Sequence, residues 1–526
     1  MSDKPQIVNI INFIRGVEPR NHEMNLFEPV ERQLELILKY NLPATFLLQY
    51  DAMLQEKYIK LLKPAVEKGI ETGIWLEIVQ PLAEKAGIKW RGRQGFSWDW
   101  HSNVGFSVGY TLEERLRMID IFMEDFTKIF GFYPESAGSW AIDAQTLSYM
   151  KDKYDIKASC NCKDQWGTDG YTLWGGYYNG AYYPSRKNVF TPAQTADMQI
   201  NVPVFRMLGS DPVDQYDAGM DDSDGLKPSD VQSVITLEPA YPFGGGSPKW
   251  VDWFFSVIFS DDCLSFGYTQ SGQENSFGWK DIESGFTYQI EQITKKSSEG
   301  KLKVMTLSDS GKWYAETYNL TPASLIAAIK DISGQKSSVW YYNRFYRSNF
   351  YVLENIPRLR DIFLFKQDYE ERYLNDVCDS ENMVYDNLPV VDGNRWSHGS
   401  VRAGIYFVDL NKDEYNILRT KKEPRVREIS SDEMEIKSPL AGGGELTVRY
   451  SAKSVLITVT GIENWGLYLM FSNINKDTKI NTDKSIIHYE HNLFQYNVEI
   501  SGGKTDYCEN GIMIRADKAD IELRFN

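Results

Sequence analysis

The sequence predicts an α/β chain: a (β/α)8-like barrel of the TIM type, of seven or eight strands, then a helical linking segment, then an all-β sandwich. Two observations carry this. From Ile7 to about Leu307 short apolar runs alternate with helical patterns, and from about Asn387 onward short strands follow at close spacing. Thr321–Asn375 between them reads as helical, with a Tyr- and Arg-rich run at Trp340–Phe350. The domains are drawn at 1–318, 319–386 and 387–526.

In chain order the barrel strands are expected at Ile7–Phe13, Ala44–Gln49, Gly73–Ile78, Ala137–Trp140, Ile156–Asn161, Val202–Met207, Ser233–Leu237, Leu264–Tyr268 and Leu302–Leu307. Helices such as Pro29–Tyr40, Glu56–Lys68 and Leu112–Ile129 lie between them, as parallel strands with crossovers require. No G-x-G-x-x-G follows the first strand, which disfavours a dinucleotide fold. In the last part, Leu446–Tyr450, Ser454–Thr460, Gly466–Phe471, Ser485–His491, Gln495–Ile500 and Ile521–Phe525 are separated by turns such as Gly442–Gly444 and Ser501–Gly503, an antiparallel sandwich pattern.

Composition narrows the function. The 526 residues carry 57 basic and 73 acidic side chains, a net charge of −16, which disfavours a nucleic-acid partner. No apolar run is long enough to span a membrane. The 14 Trp and 32 Tyr exceed what a core needs and suit stacking on sugar rings, so an oligosaccharide or polysaccharide is the expected partner; a homo-oligomer is compatible. Met1–Gln6 has no signal-peptide character, which places the chain as written in the cytoplasm and leaves export with a trimmed leader open. Five cysteines make a disulfide framework unexpected.

Barrel chemistry sits where strands end. After the first strand, Arg15, Glu18 and Arg20 could bind an anionic or hydroxyl-rich ligand or form surface ion pairs. Asp51 ends the second strand. Glu77 lies inside an apolar run, where an isolated carboxylate is costly unless paired or facing a cleft. The long connection Lys89–Tyr110 holds Trp98, Asp99, Trp100 and His101, read as a lid or wall. Trp140 precedes Asp143, read as a helix cap. After the fifth strand, Cys160 and Cys162 fill a buried face, and the polar chemistry passes to Asp164, Gln165 and Asp169 beside the aromatic loop Tyr171–Tyr183 that includes Trp174. Arg206 and Asp211 close the sixth strand, and Glu238-Pro239 the seventh. Gln270, Glu274, Asn275 and Trp279 add polar and stacking groups, with Asn343, Arg344 and Arg347 reaching in from the linking segment.

The order of elements resembles the glycoside hydrolase/deacetylase barrel superfamily, which includes the NodB-type polysaccharide deacetylases. Leu42–Leu48 is similar to that superfamily's second strand, and Gly69-Ile70-Glu71-Thr72-Gly73 to its Gly-His-Glu-Ile-Gly lead into the third. "WGGYYNGAYYPS" and "FRMLGSDP" further resemble an uncharacterised bacterial family, largely of gut Bacteroidetes, with this barrel and a C-terminal β domain. The resemblance covers most of the chain and implies no assigned reaction. A metal-dependent deacetylase of this kind carries Asp-Asp after strand one and H-x₃-H after strand three; here Asn12-Phe13-Ile14-Arg15 and Trp75-Leu76-Glu77-Ile78-Val79 stand there.

These readings lead to the expectation of a glycoside hydrolase working through two carboxylates, Glu77 and Glu238 with Asp164 and Asp211 as substitutes, on a glycan that includes an acidic sugar if Arg15, Arg20 and Arg206 converge. Neither cofactor nor metal is expected. The alternatives are a deacetylase or carbohydrate esterase with a rearranged metal site, and a non-catalytic carbohydrate-binding protein.

Overall fold

The computed structural model describes residues 4–214, 220–221, 225–226, 235–398, 401–411, 416–472, 474 and 476–526. Five strands lead the barrel: β1 (Gln6–Ile14), β2 (Ala44–Leu48), β3 (Ile70–Trp75), β4 (Ser136–Gly138) and β5 (Ala158–Asn161). They pair in parallel in chain order. Val204–Arg206 continues the sheet past β5, while Gly267–Ser271 and Lys303–Met305 join β1 in parallel. Ala181–Tyr182 adds an antiparallel edge, giving a nine-stranded sheet curled into a half-barrel. β1 is buried along its whole length, which is why it reads as a nearly unbroken apolar run.

Helices Phe27–Lys39, Glu56–Val66 and Leu112–Phe130 cover the sheet close to their expected bounds. The last begins with a reciprocal Thr111–Glu114 capping box and ends on Gly131 in the left-handed region at φ 93°. Asp143 caps Ala144–Tyr154 by accepting the Thr146 N–H.

Two expectations are corrected. The strand at Ser233–Leu237 is reduced to an isolated bridge between Ser210 and Thr236, with Ser233 and Val234 outside the described residues. Among the described residues no ladder joins Val204–Arg206 to Gly267–Ser271. Hydrogen bonds from Leu237 N to Leu208 O (2.9 Å) and from Leu208 N to Gln270 Oε1 (2.7 Å) cross that gap instead.

The linking segment 319–386 is not helical. Ser324–Ala328, Lys336–Tyr342, Tyr346–Leu353 and Ile356–Leu364 form an antiparallel meander at one side of a ten-stranded sheet. Its alternation is hidden in the sequence because both faces are covered. Trp340 and Tyr342 pack into the barrel core, while Val339 and Tyr341 pack into the C-terminal core. A strand buried on both sides loses the polar half of its pattern. Across the second core lies an eight-stranded sheet that includes Met434–Pro439, Glu445–Tyr450 and Ser454–Val459, whose residues alternate between buried and half-buried.

The meander is tied to the barrel by a buried chain of four charges. Asp164, just beyond β5, accepts from Arg206 Nη2 (2.8 Å) and from Arg347 Nη1, and Arg347 also donates to both oxygens of Asp361 at 3.0 and 2.8 Å. Gly175 N donates to Asp164 Oδ2 at 2.9 Å. Burial, opposed by Arg347, pushes the Asp361 carboxyl up to about 6.

Two substitutions test this frame by denaturant unfolding. At Gly272, φ is +115° and a Cβ would lie 2.0 Å from the Ile11 carbonyl oxygen, so Gly272→Ala is expected to lower stability by about 2 kcal/mol or more. Asp164→Ala leaves the buried Arg206 without its carboxylate and removes one of the two that hold Arg347, and is expected to cost about 3–5 kcal/mol; a loss within the range of a surface substitution would disprove the clamp.

Candidate functional site

The C-terminal ends of the barrel strands surround a cavity of about 90 Å³, lined by Trp140, Lys163, Gln165, Asp169, Tyr171, Leu208, Glu238, Tyr241, Glu274 and Phe277. Each comes from a segment that follows a barrel strand or patches the gap beside one, the position where this architecture displays side chains. Trp140 and Tyr171 stack as one wall, ring centres 5.9 Å apart. The Trp140 Nε1–H is buried and has no hydrogen-bond partner among the described residues.

Lys163 is only 2% exposed. Its amine makes a single long hydrogen bond, 3.4 Å to the Asp164 carbonyl, and has no ion pair among the described residues. Desolvation lowers it to about 8, against the pull of Cys162, Glu238 and Asp164. Glu238 accepts from Thr236 Oγ1 at 2.9 Å and from Gln273 Nε2 at 3.3 Å. Burial raises its carboxyl, and the hydrogen bond from Thr236 and the charge of Lys163 oppose that rise. Glu274 is pushed up to about 7 by burial although Arg15 Nη1 lies 2.8 Å away.

Behind this cavity the ends of β1 and β3 are closed by an ion-pair cluster. Arg15, fully buried, donates to Glu77 at 3.1 and 3.3 Å, and its guanidinium lies 4.1 Å from the Trp98 ring centre. Gln49 Nε2 donates to the same carboxylate at 2.7 Å. Burial alone would lower Arg15, but Glu274 and Glu77 hold it well above its ordinary value.

The divalent metal of the resembled deacetylases does not fit this donor set. A guanidinium occupies the carboxylates there, and among the described residues no group of three or more His, Cys, Asp or Glu side chains could hold an ion. A rearranged metal site therefore finds no ligands in the described part of the chain.

Of the expected site residues, Glu238, Trp140, Gln165 and Asp169 line the cavity. Glu77, Arg15 and Trp98 form the cluster behind it. Arg20 pairs with Glu18 at 2.8 Å, lies 3.6 Å from Asp169 and rests 5.0 Å over Trp100, so these form the rim. Asp51 accepts from Gly16 N at 3.2 Å, and burial pushes it up to about 7. His101 Nδ1 lies 3.4 Å from Asp99.

The others are structural. Asp164 and Arg206 belong to the clamp, and Asp211 accepts from Trp250 Nε1 at 2.8 Å and from the Val213 and Asp214 amides. Trp174 donates to Asp392 at 2.7 Å. Trp279 lines a separate groove with Glu28 and Arg32. Asn343 and Arg344 sit in the meander turn, Asn343 Oδ1 accepting from Phe345 N at 2.7 Å and Arg344 lying 4.7 Å over the Phe345 ring. The linking-segment arginines therefore do not close the site.

Sequence reasoning passed over Lys163 and Tyr241 and gave Glu274 only a supporting part. Lys163 stands directly after the buried Cys160–Cys162 face, and a lysine stepping straight off a barrel strand was the available signal.

The two-carboxylate glycosidase is corrected on these grounds. Its preferred pair does not face across an open gap, since Glu77 is fully buried and saturated by Arg15 and Gln49. Both substitute carboxylates are held by buried donors.

Comparison with solved structures agrees with the barrel. No family model matches the chain, and no curated protein matches it. Among solved structures, a candidate glycoside hydrolase/deacetylase of Parabacteroides distasonis aligns with TM-score 0.52 at 13% identity, over 73% of this chain and 91% of that one, which is a likeness of fold. Candidate polysaccharide deacetylases of Mycobacterium smegmatis (TM-score 0.35, 12% identity, 61% of this chain and 93% of that one) and Pseudomonas aeruginosa PAO1 (0.38, 12%, 60% and 93%) align more weakly.

Proposed function

We propose that the chain is a carbohydrate deacylase, a hydrolase that removes an acyl group from a saccharide held in the barrel-mouth cavity. The observation that supports this is one buried amine and one buried, hydrogen-bonded carboxylate, Lys163 and Glu238, lining the same cavity. The name of the Parabacteroides distasonis protein, which shares the fold, favours the same class by analogy.

In this reading Glu238 takes a proton from a water molecule as the water oxygen attacks the acyl carbonyl. The negative charge that develops on the carbonyl oxygen is met by the Lys163 ammonium and by the unpartnered Trp140 Nε1–H. Collapse breaks the bond to the sugar oxygen or nitrogen, and Glu238 returns its proton to that atom. Trp140, Tyr171, Tyr241 and Phe277 supply ring faces for the sugar. The permanent positive charge of Arg15 stands behind the site. No step requires a metal.

The protonation states set the pH profile. Activity needs Glu238 ionised and Lys163 charged, so the rate rises as Glu238 loses its proton and falls through about pH 8 as Lys163 loses its own. Acetate release from a panel of O- and N-acetylated oligosaccharides is the test. Glu238→Gln is expected to lose about 10²–10⁴-fold in kcat with the fold intact by circular dichroism. EDTA is expected to leave the wild-type rate unchanged. Absence of acetate release across the panel, or loss to EDTA with recovery on added zinc, overturns the proposal.

A further inference from the structure

We propose that Lys163 also captures carbonyl compounds, its amine condensing with a small, neutral hydroxyaldehyde or hydroxyketone in the cavity to form an imine. This goes beyond the deacylase reading and uses the other protonation state of the same residue.

The argument begins with how the amine is held. A buried lysine with a structural role is ordinarily paired, because an isolated ammonium is costly to desolvate. Lys163 is buried and unpaired among the described residues, while its neighbour Asp164 is engaged by Arg206 and Arg347. Its side chain instead lines the cavity. Arg206 adds to desolvation in disfavouring its charged form, while Cys162, Glu238 and Asp164 pull the other way, and the balance leaves the free base accessible near pH 8. A desolvated lysine of this kind is the activated nucleophile of imine chemistry.

The cavity also supplies a proton carrier. Lys163 nitrogen attacks the carbonyl carbon; the C–N bond forms and the C=O π pair moves to oxygen. The Glu238 carboxylate takes a proton from the nitrogen and hands it to that oxygen, giving the carbinolamine. A proton from solvent then converts the hydroxyl to water, which leaves as the nitrogen lone pair forms the C=N⁺ bond. One carbonyl compound and one proton enter and one water leaves. Tyr241 lines the same space, and the charge of Glu238 together with burial keeps its hydroxyl protonated as a hydrogen-bond donor.

Charge selects the ligand class. Of the carboxylates on the cavity wall, Glu274 faces Arg15 and Asp169 lies 3.6 Å from Arg20, which leaves Glu238 beside the single amine. A keto acid would bring a further negative charge to this wall, whereas hydroxyl groups find acceptors on it and carbon faces find the aromatic rings.

The experiment incubates the full chain with dihydroxyacetone and sodium cyanoborohydride and maps the reduced adducts by peptide mass spectrometry. Near neutral pH an amine titrating near 8 holds on the order of 100-fold more free base than an ordinary exposed lysine. Lys163 is therefore expected to be labelled at least about tenfold faster than exposed lysines such as Lys60 and Lys504, after allowance for its lower nucleophilicity. Its rate levels off above about pH 8, while theirs keep rising. Pyruvate labels it more slowly than dihydroxyacetone, and Lys163→Arg removes the adduct at that position. Labelling no faster than at the exposed lysines, or without the plateau, overturns the proposal; equal labelling by pyruvate overturns the ligand class. Acetate release is scored without any carbonyl compound present, so either reading can fail alone.

Discussion

The structure turns on a neutral chain of four buried charges, Asp361–Arg347–Asp164–Arg206, running from the meander into the barrel. Taking such groups out of water costs several kcal/mol per ion, and their mutual attraction offsets this only when geometry and hydrogen bonding are good. Here Asp164 accepts from two guanidinium groups and the Gly175 amide, and Arg347 grips Asp361 with two parallel bonds. A hydrophobic contact at this place would tolerate sliding; this chain of charges permits one seating. It fixes the loop after β5, and that loop presents Lys163 and Gln165 to the cavity.

The second cluster, Arg15 with Glu77 and Glu274, does for the other side of the cavity what the first does for the meander. Both place permanent guanidinium charges where the surroundings are dry, and both leave the cavity's own amine without an ion pair among the described residues. On the cavity wall, Lys163 has one long hydrogen bond and the Trp140 indole N–H none among the described residues.

Much of the barrel was legible in the sequence because parallel strands buried on both faces read as apolar runs, and strand-end positions follow from the architecture. The meander was not, for a related reason: its Tyr and Arg residues look polar, and nothing local says that Arg347 and Arg360 are buried. Glu77 illustrates the limit for the site. The sequence shows a carboxylate in an apolar run, a catalytic group or half of an ion pair, and the choice depends on Arg15, 62 residues away. Glu238 and Asp169, expected from strand-end positions, line the cavity. Lys163 is not legible as a site residue because its burial depends on the distant segments that pack over it, while Cys160 packs against β4: a Cβ on Gly138 would lie 2.6 Å from its Sγ.

The two-sided burial of the meander has a consequence for how the chain is made. Arg347 follows Asp164 by 183 residues, so a ribosome adding roughly 5–20 residues per second delivers the partner about 10–40 s after the carboxylate. During that interval Asp164 has Arg206, 42 residues on, but lacks its second guanidinium, and the covering strands are themselves half of the next core to form. The two cores are thus mortised through a shared layer, and a chain cut between them would leave each with an open face.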